Sequence, residues 1–151
     1  MSVGFRRAVL ADLPALVRLM ADDAVNGWRE ATGEPPAPGY RGAFAAIERD
    51  PNQVLVVGER DGIVVATGQV SFVPTLASQG ATRAIIESVR VASGLRSQGI
   101  GEALIRHLED LARERGCPAA QLATSRARVD AHRFYERIGY KDQHKGYKRE
   151  L

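Results

Sequence analysis

The stretch Arg96-Ser97-Gln98-Gly99-Ile100-Gly101 lies between an extended apolar run and the start of a helical pattern. Glycines at a strand-to-helix junction leave the backbone open to close approach. Successive N–H groups there converge on one locus, and the helix N-terminus adds partial positive charge. Such an arrangement holds an anion, and Arg96 offers a charge-assisted contact beside it. Two familiar phosphate motifs fail. A P-loop needs lysine and a hydroxyl residue after its last glycine, but Gly101 is followed by Glu102. A dinucleotide fingerprint needs a third glycine where Leu104 stands. What remains is a nest for phosphate or pyrophosphate that calls on no metal.

The elements that must position this nest follow from periodicity. Before it, "AIIESVRV" reads as a strand. After it, Ile100, Leu104, Leu108, Leu111 and Ala112 form the apolar stripe of the longest helix, closed by Gly116. Glu102 with Arg106, and Glu109 with Arg113, are favourable i,i+4 pairs along it. Upstream, Asp12 suits the N-cap of a first helix with Leu13, Leu16, Val17 and Met20 on one face. Residues 26–40 carry three prolines and three glycines and read as a long irregular loop. Tyr40, Phe44 and Ile47 mark a second helix, and two β-branched runs meet at Asp61-Gly62, a hairpin signal. Downstream, "AAQLATS" reads as a buried strand, Asp130 caps a helix over "AHRFYERI", and "YKDQHKGYKREL" predicts a closing hairpin. The sum is a mixed α/β sheet with helices on both faces.

A second block, "DAHRFYERIGY", begins about thirty residues beyond the nest. Together, "ESVRVASGLRSQGIGEALI" and this block resemble the acyl-CoA-binding motif (R/Q-x-x-G-x-G/A) and C-terminal helix of the GNAT superfamily of N-acyltransferases. The resemblance runs from about Val54 to the end of the chain. It implies one N-acetyltransferase domain over residues 1–151, built on a mostly antiparallel central sheet in the order β-α-α-β-β-β-α-β-α-β-β. It implies acetyl-CoA as donor, with its pyrophosphate on the amides of Arg96, Ser97, Gln98, Gly99, Ile100 and Gly101. The pantetheine arm would then run along backbone groups of Val89 and Val91. Homodimers are common in such proteins, and nothing in the residues adds to that.

Acyl transfer from a thioester to an amine asks for positioning and two proton tasks. For the acid, the resemblance points to Tyr135, whose hydroxyl would approach the sulfur. The residues alone put Phe134 and Ile138 on one helix face and Tyr135 off it, which also fits a half-buried aromatic with a bonded hydroxyl. For the base we take Glu87, a carboxylate among apolar neighbours. Strict alternation places Glu87, Val89 and Val91 on one face, the cofactor side, where burial raises a carboxylate pKa. The structural alternative is a charge at a sheet split satisfied by an arginine. Of the histidines, His107 reads as solvated surface and His132 as a packing or capping residue.

At 151 residues, 44% hydrophobic and 26% charged, the chain has the make-up of one ordinary globular domain. No apolar run reaches the ~20 residues that cross a bilayer, and no signal-peptide core opens the sequence, so a cytoplasmic protein without a membrane partner is expected. The lone Cys117 rules out an internal disulfide and a multi-cysteine metal site. A net charge of +3 without a Lys/Arg block argues against nucleic acid. Arg126, Arg128, Arg133 and Arg137 do cluster, and Arg90 and Arg96 flank the nest. That pattern fits either an anionic small molecule or a solvated basic surface. The reading is an N-acetyltransferase acting on the primary amine of a small molecule. A protein or peptide N-acetyltransferase, a non-catalytic acyl-CoA-binding sensor and a nucleotide-binding regulatory domain are the alternatives.

Overall fold

The computed structural model describes residues 2–151. Its frame is a five-stranded sheet ordered β1 (Gly4–Arg7), β2 (Gln53–Arg60), β3 (Ile63–Pro74), β4 (Thr82–Val91) and β5 (Ala120–Leu122). Neighbouring strands are antiparallel except β4 and β5, which are parallel. Five helical segments join them: α1 (Leu13–Ala21), α2 (Pro38–Arg49), α3 (Ala77–Gly80), which is a single turn with left-handed backbone at Ser78, Gln79 and Gly80, α4 (Ile100–Glu114) and α5 (Val129–Arg137). Asp61 and Gly62 both have positive φ and close the β2–β3 hairpin, as the Asp-Gly pair predicts.

Helices α1 and α2 cover one face of the sheet, where Leu13, Val17 and Phe44 pack together with Leu55 of β2. Helix α4 covers the other face and presses Ile100, Leu104, Ile105 and Leu108 onto Val56, Val70 and Ile86. Leu104, Ile105 and Leu108 are completely buried. Each such side chain stabilises the fold by about 2 kcal/mol, and Leu104→Ala would cost about 3 kcal/mol through the cavity it leaves.

The sheet comes apart at one place. Strand β5 pairs with β4 only from Ala84 to Ile86, while β4 continues to Val91. Past Ile86, that edge of β4 has no strand partner among the described residues.

Several local expectations are corrected. Residues 140–151 form no strand, so the closing hairpin and the last two strands of the expected order are not found. Lys141, Asp142, Lys145, Lys148, Arg149 and Glu150 leave this segment without an alternating apolar face, and Tyr147 and Leu151 are exposed. The strand expected over "AAQLATS" shrinks to three residues. Asp12 bonds no α1 amide; its carboxylate takes the Val9 N–H and the Arg6 guanidinium. Asp130 lies inside the first turn of α5 and bonds no amide there. His107 is half-buried and stacks on Phe5, with ring centroids 5.3 Å apart. No helix among the described residues is long and apolar enough to cross a membrane.

Candidate active site

Helix α4 starts directly after Gly99, whose φ is +83°, and Ser97 has φ of +63°. Two left-handed residues on either side of Gln98 turn successive amides toward one side of the loop. Among the described residues, no backbone N–H from Arg96 to Glu102 donates to a protein acceptor; the first to do so is that of Ala103, to Gly99 O at 3.1 Å. A Cβ at Gly99 would meet nothing within 4 Å, so the space over the loop is open. Ile100 contributes only its amide, because its side chain is in the core. The Arg96 side chain is directed elsewhere: it donates to Val91 O (3.2 Å) and Asp22 O (2.9 Å), tying the end of α1 to the end of β4.

Strand β4 changes phase just before this loop. Thr67 pairs with Arg90 and Gln69 with Glu87, so Gly68 alone opposes Ser88 and Val89. That is a β-bulge, and Ser88 carries its positive φ of 56°. The extra residue breaks the expected face-sharing. Val89 and Val91 join Ala84 and Ile86 on the α4 side of the sheet. Glu87 pairs with Gln69, which in turn pairs with Leu55, a residue of the α1/α2 face. It is exposed, so the expected burial among apolar neighbours is not found. Val89 and Val91 lie on the unpaired stretch, and their carbonyls accept from Arg90 Nη1 (2.9 Å) and Arg96 Nε (3.2 Å). A run of free amides and a stretch of β4 that no strand pairs together fit the diphosphate and the extended arm of coenzyme A.

Tyr135 does not point away from the apolar face of α5: it packs with Phe134 and Ile138 on the core. Its ring meets those of Phe134 and Tyr140 edge-on at 5.0 and 5.9 Å. Burial pushes its pKa above the ordinary phenol value, and Arg90 and Arg128 partly offset that. The hydroxyl therefore keeps its proton through the neutral range and can donate it.

Sequence reasoning missed the charged group beside Tyr135. Asp23, just past α1, has a side chain only 1% exposed. Arg128 donates to it from Nη1 (2.9 Å) and Nη2 (2.5 Å), and Arg90 Nη2 lies 3.0 Å away. The Arg128 fork, the Val25 N–H and the Arg90 charge hold the Asp23 carboxyl far below the usual carboxylate range. With Val89, Arg96 and Asp22 these groups line a cavity of about 200 Å³ at the split end of β4. No spacing signal links positions 23, 90 and 128; only the late cluster of arginines hinted at them. Elsewhere, His132 Nε2 lies at hydrogen-bond distance, 2.8 Å, from Ser125 O and ties α5 to the loop before it, and His144 is exposed in the tail. Tyr40 braces the 26–40 loop, accepting from Ala31 N–H and donating to Glu30, while Trp28 is 81% exposed.

Comparison with known proteins gives the family. The model of the Acetyltransferase (GNAT) family matches residues 14–140, and the chain belongs to that family. It is an acetyltransferase with acetyl-CoA as its donor. Over 106 residues it is 37% identical to the aminoalkylphosphonate N-acetyltransferase of Salmonella typhimurium, spanning 70% of this chain and 68% of that one. Over 134 residues it is 34% identical to the streptothricin acetyltransferase of Streptomyces lavendulae, spanning 89% of this chain but only 61% of that relative. A solved structure from Bacillus halodurans C-125, described as a transcriptional regulator, is 41% identical with a TM-score of 0.96 over 99% of both chains.

Proposed function

We propose that the protein transfers an acetyl group from acetyl-CoA directly to the primary amine of a small molecule, and that it works in the cytoplasm. The observation that carries this reading is the split end of β4, which has the amide nest at its tip and Tyr135 beside it. Bound acetyl-CoA supplies an activated thioester. The amides of residues 96–101 hold its diphosphate, and the open edge at Val89 and Val91 aligns the arm. The amine nitrogen bonds to the thioester carbon as the carbon–sulfur bond breaks. Tyr135 gives its proton to the departing sulfur and is restored by the second proton that the new amide nitrogen sheds. Glu87, exposed on the α1/α2 face, takes the ammonium proton through water. Much of the rate comes from holding amine and carbonyl together.

The small size of the cavity and its arginine lining support a small acceptor over a lysine-bearing peptide. The Salmonella and Streptomyces relatives carry names of small-molecule acetyltransferases. A second reading, an acyl-CoA-binding regulator, draws on the description of the Bacillus protein. Tyr135 separates the two, because a sensor has no use for a proton donor at the sulfur.

The test is release of free thiol from acetyl-CoA against a panel of amines and peptides. Release with free amines supports the proposal, and release with peptides alone supports peptide acetylation. Tight acetyl-CoA binding with no release by any acceptor leaves the regulator.

A further inference from the structure

The cavity beside Tyr135 holds more positive charge than the protein neutralises. Arg90 and Arg128 share the single carboxylate of Asp23, and Arg29 is close enough for its charge to act on Arg90. Arg90 is mostly buried, its side chain 17% exposed, and its Nε–H is sealed from water without an acceptor. Its Nη1 is used on Val89 O and its Nη2 on Asp23. A guanidinium keeps its charge under such conditions. Arg90, Arg96 and Arg128 line the cavity against two carboxylates, Asp22 and Asp23, which leaves one positive charge for a further anion to offset.

We propose that this cavity receives an anionic group of the acceptor itself, held by Arg90 and Arg128 alongside Asp23, so that the acceptor is a short amine bearing a carboxylate, phosphonate or phosphate. This rests on the small-molecule acetyltransferase reading and narrows it. Arg90 lies two residues past the bulge at Ser88, about 7 Å along the strand. An anion fixed at Arg90 therefore leaves the amine only a few bonds away when it reaches the split in the sheet. The arginines also repel polycations, so polyamines and other multiply charged amines are poor acceptors. Asp23 acts here as a positioning residue that keeps both guanidinium groups aimed into the cavity.

The test titrates 2-aminoethylphosphonate, β-alanine, propylamine and spermidine into the full-length protein saturated with CoA, and separately measures turnover of each with acetyl-CoA. The expected result is that the two anionic amines bind at least about tenfold more tightly than propylamine, the gain from charge-assisted contacts in the cavity. Spermidine should be the weakest. Arg128→Gln should bring the anionic amines down to the affinity that propylamine has for the same variant, and acetyl-CoA affinity within about twofold of wild type shows that the variant is folded. Should that variant fail to fold, Arg128→Lys, which keeps the charge but loses the two-point grip on Asp23 that aims it into the cavity, is expected to lose most of the advantage. Equal binding of propylamine and the anionic amines overturns the inference, whatever is turned over. So does an advantage untouched by either substitution. Turnover of peptides alone would instead overturn the small-molecule reading, independently of the titration.

Discussion

Arg128, at the head of the last helix, grips Asp23, at the end of the first, through both terminal nitrogens of its guanidinium. The pair joins segments 105 positions apart at the split end of β4. Because the Asp23 side chain is only 1% exposed, its removal is felt in full. Asp23→Asn leaves two buried guanidinium groups facing each other and should cost about 3 kcal/mol of stability at pH 7. The pH dependence follows from the depressed carboxyl, which contributes stability above the unfolded-state value of about 4 and loses it as pH falls toward the folded value. The wild-type advantage over Asp23→Asn should therefore narrow between about pH 5 and pH 2 in urea melts. A gap of constant size from pH 7 to pH 3 would show that the carboxylate charge is not what stabilises.

Tyr135→Phe removes one hydroxyl from a packed face and keeps the ring contacts with Phe134 and Tyr140. The expected outcome is a fall in kcat of about a hundredfold, with acetyl-CoA affinity unchanged by calorimetry. The high-pH limb of the kcat profile should disappear with the hydroxyl. An unchanged kcat across pH assigns the thiol proton to solvent.

Glu87→Gln tests the base on a residue that the fold does not depend on, since it is exposed. The low-pH limb of kcat/KM should flatten, while melting temperature stays within about a degree of wild type. Persistence of that limb would place the base elsewhere.

Gly99→Ala separates fold from ligand at the nest. The backbone there is left-handed at +83°, and the added methyl meets no protein atom. The fold should lose only about 1 kcal/mol, whereas acetyl-CoA affinity should drop about tenfold as the methyl intrudes where the diphosphate must sit. Undiminished affinity would move the diphosphate away from this loop.

The parts of this molecule legible in its sequence are those written in local spacing. The apolar stripe of α4, the Asp61-Gly62 hairpin and the glycines of the nest each depend on neighbours within a few positions, and each is found where it was read. Long-range matters were not legible. The Asp23–Arg128 pair has no periodicity to announce it. The bulge at Ser88 needs a left-handed serine, which no turn signal marks, and it alone reversed the assignment of Glu87 to the face of Val89 and Val91. At the C-terminus the local reading itself misled: Gly146 suggests a hairpin turn, but residues 140–151 carry six charged side chains and no alternating apolar face, and no strand forms there.

The bulge has one more consequence. On a regular strand, positions separated by an odd number point to opposite sides, so Glu87 and Arg90 would be back to back. The extra residue at Ser88 brings both to the same side, a negative group and a positive group in tandem along one edge of the cleft. Strand β4 thereby becomes a charge template of opposite poles, the mirror of a zwitterion laid lengthwise. Excising the single residue Ser88 would restore the pleat and scramble the template at one stroke.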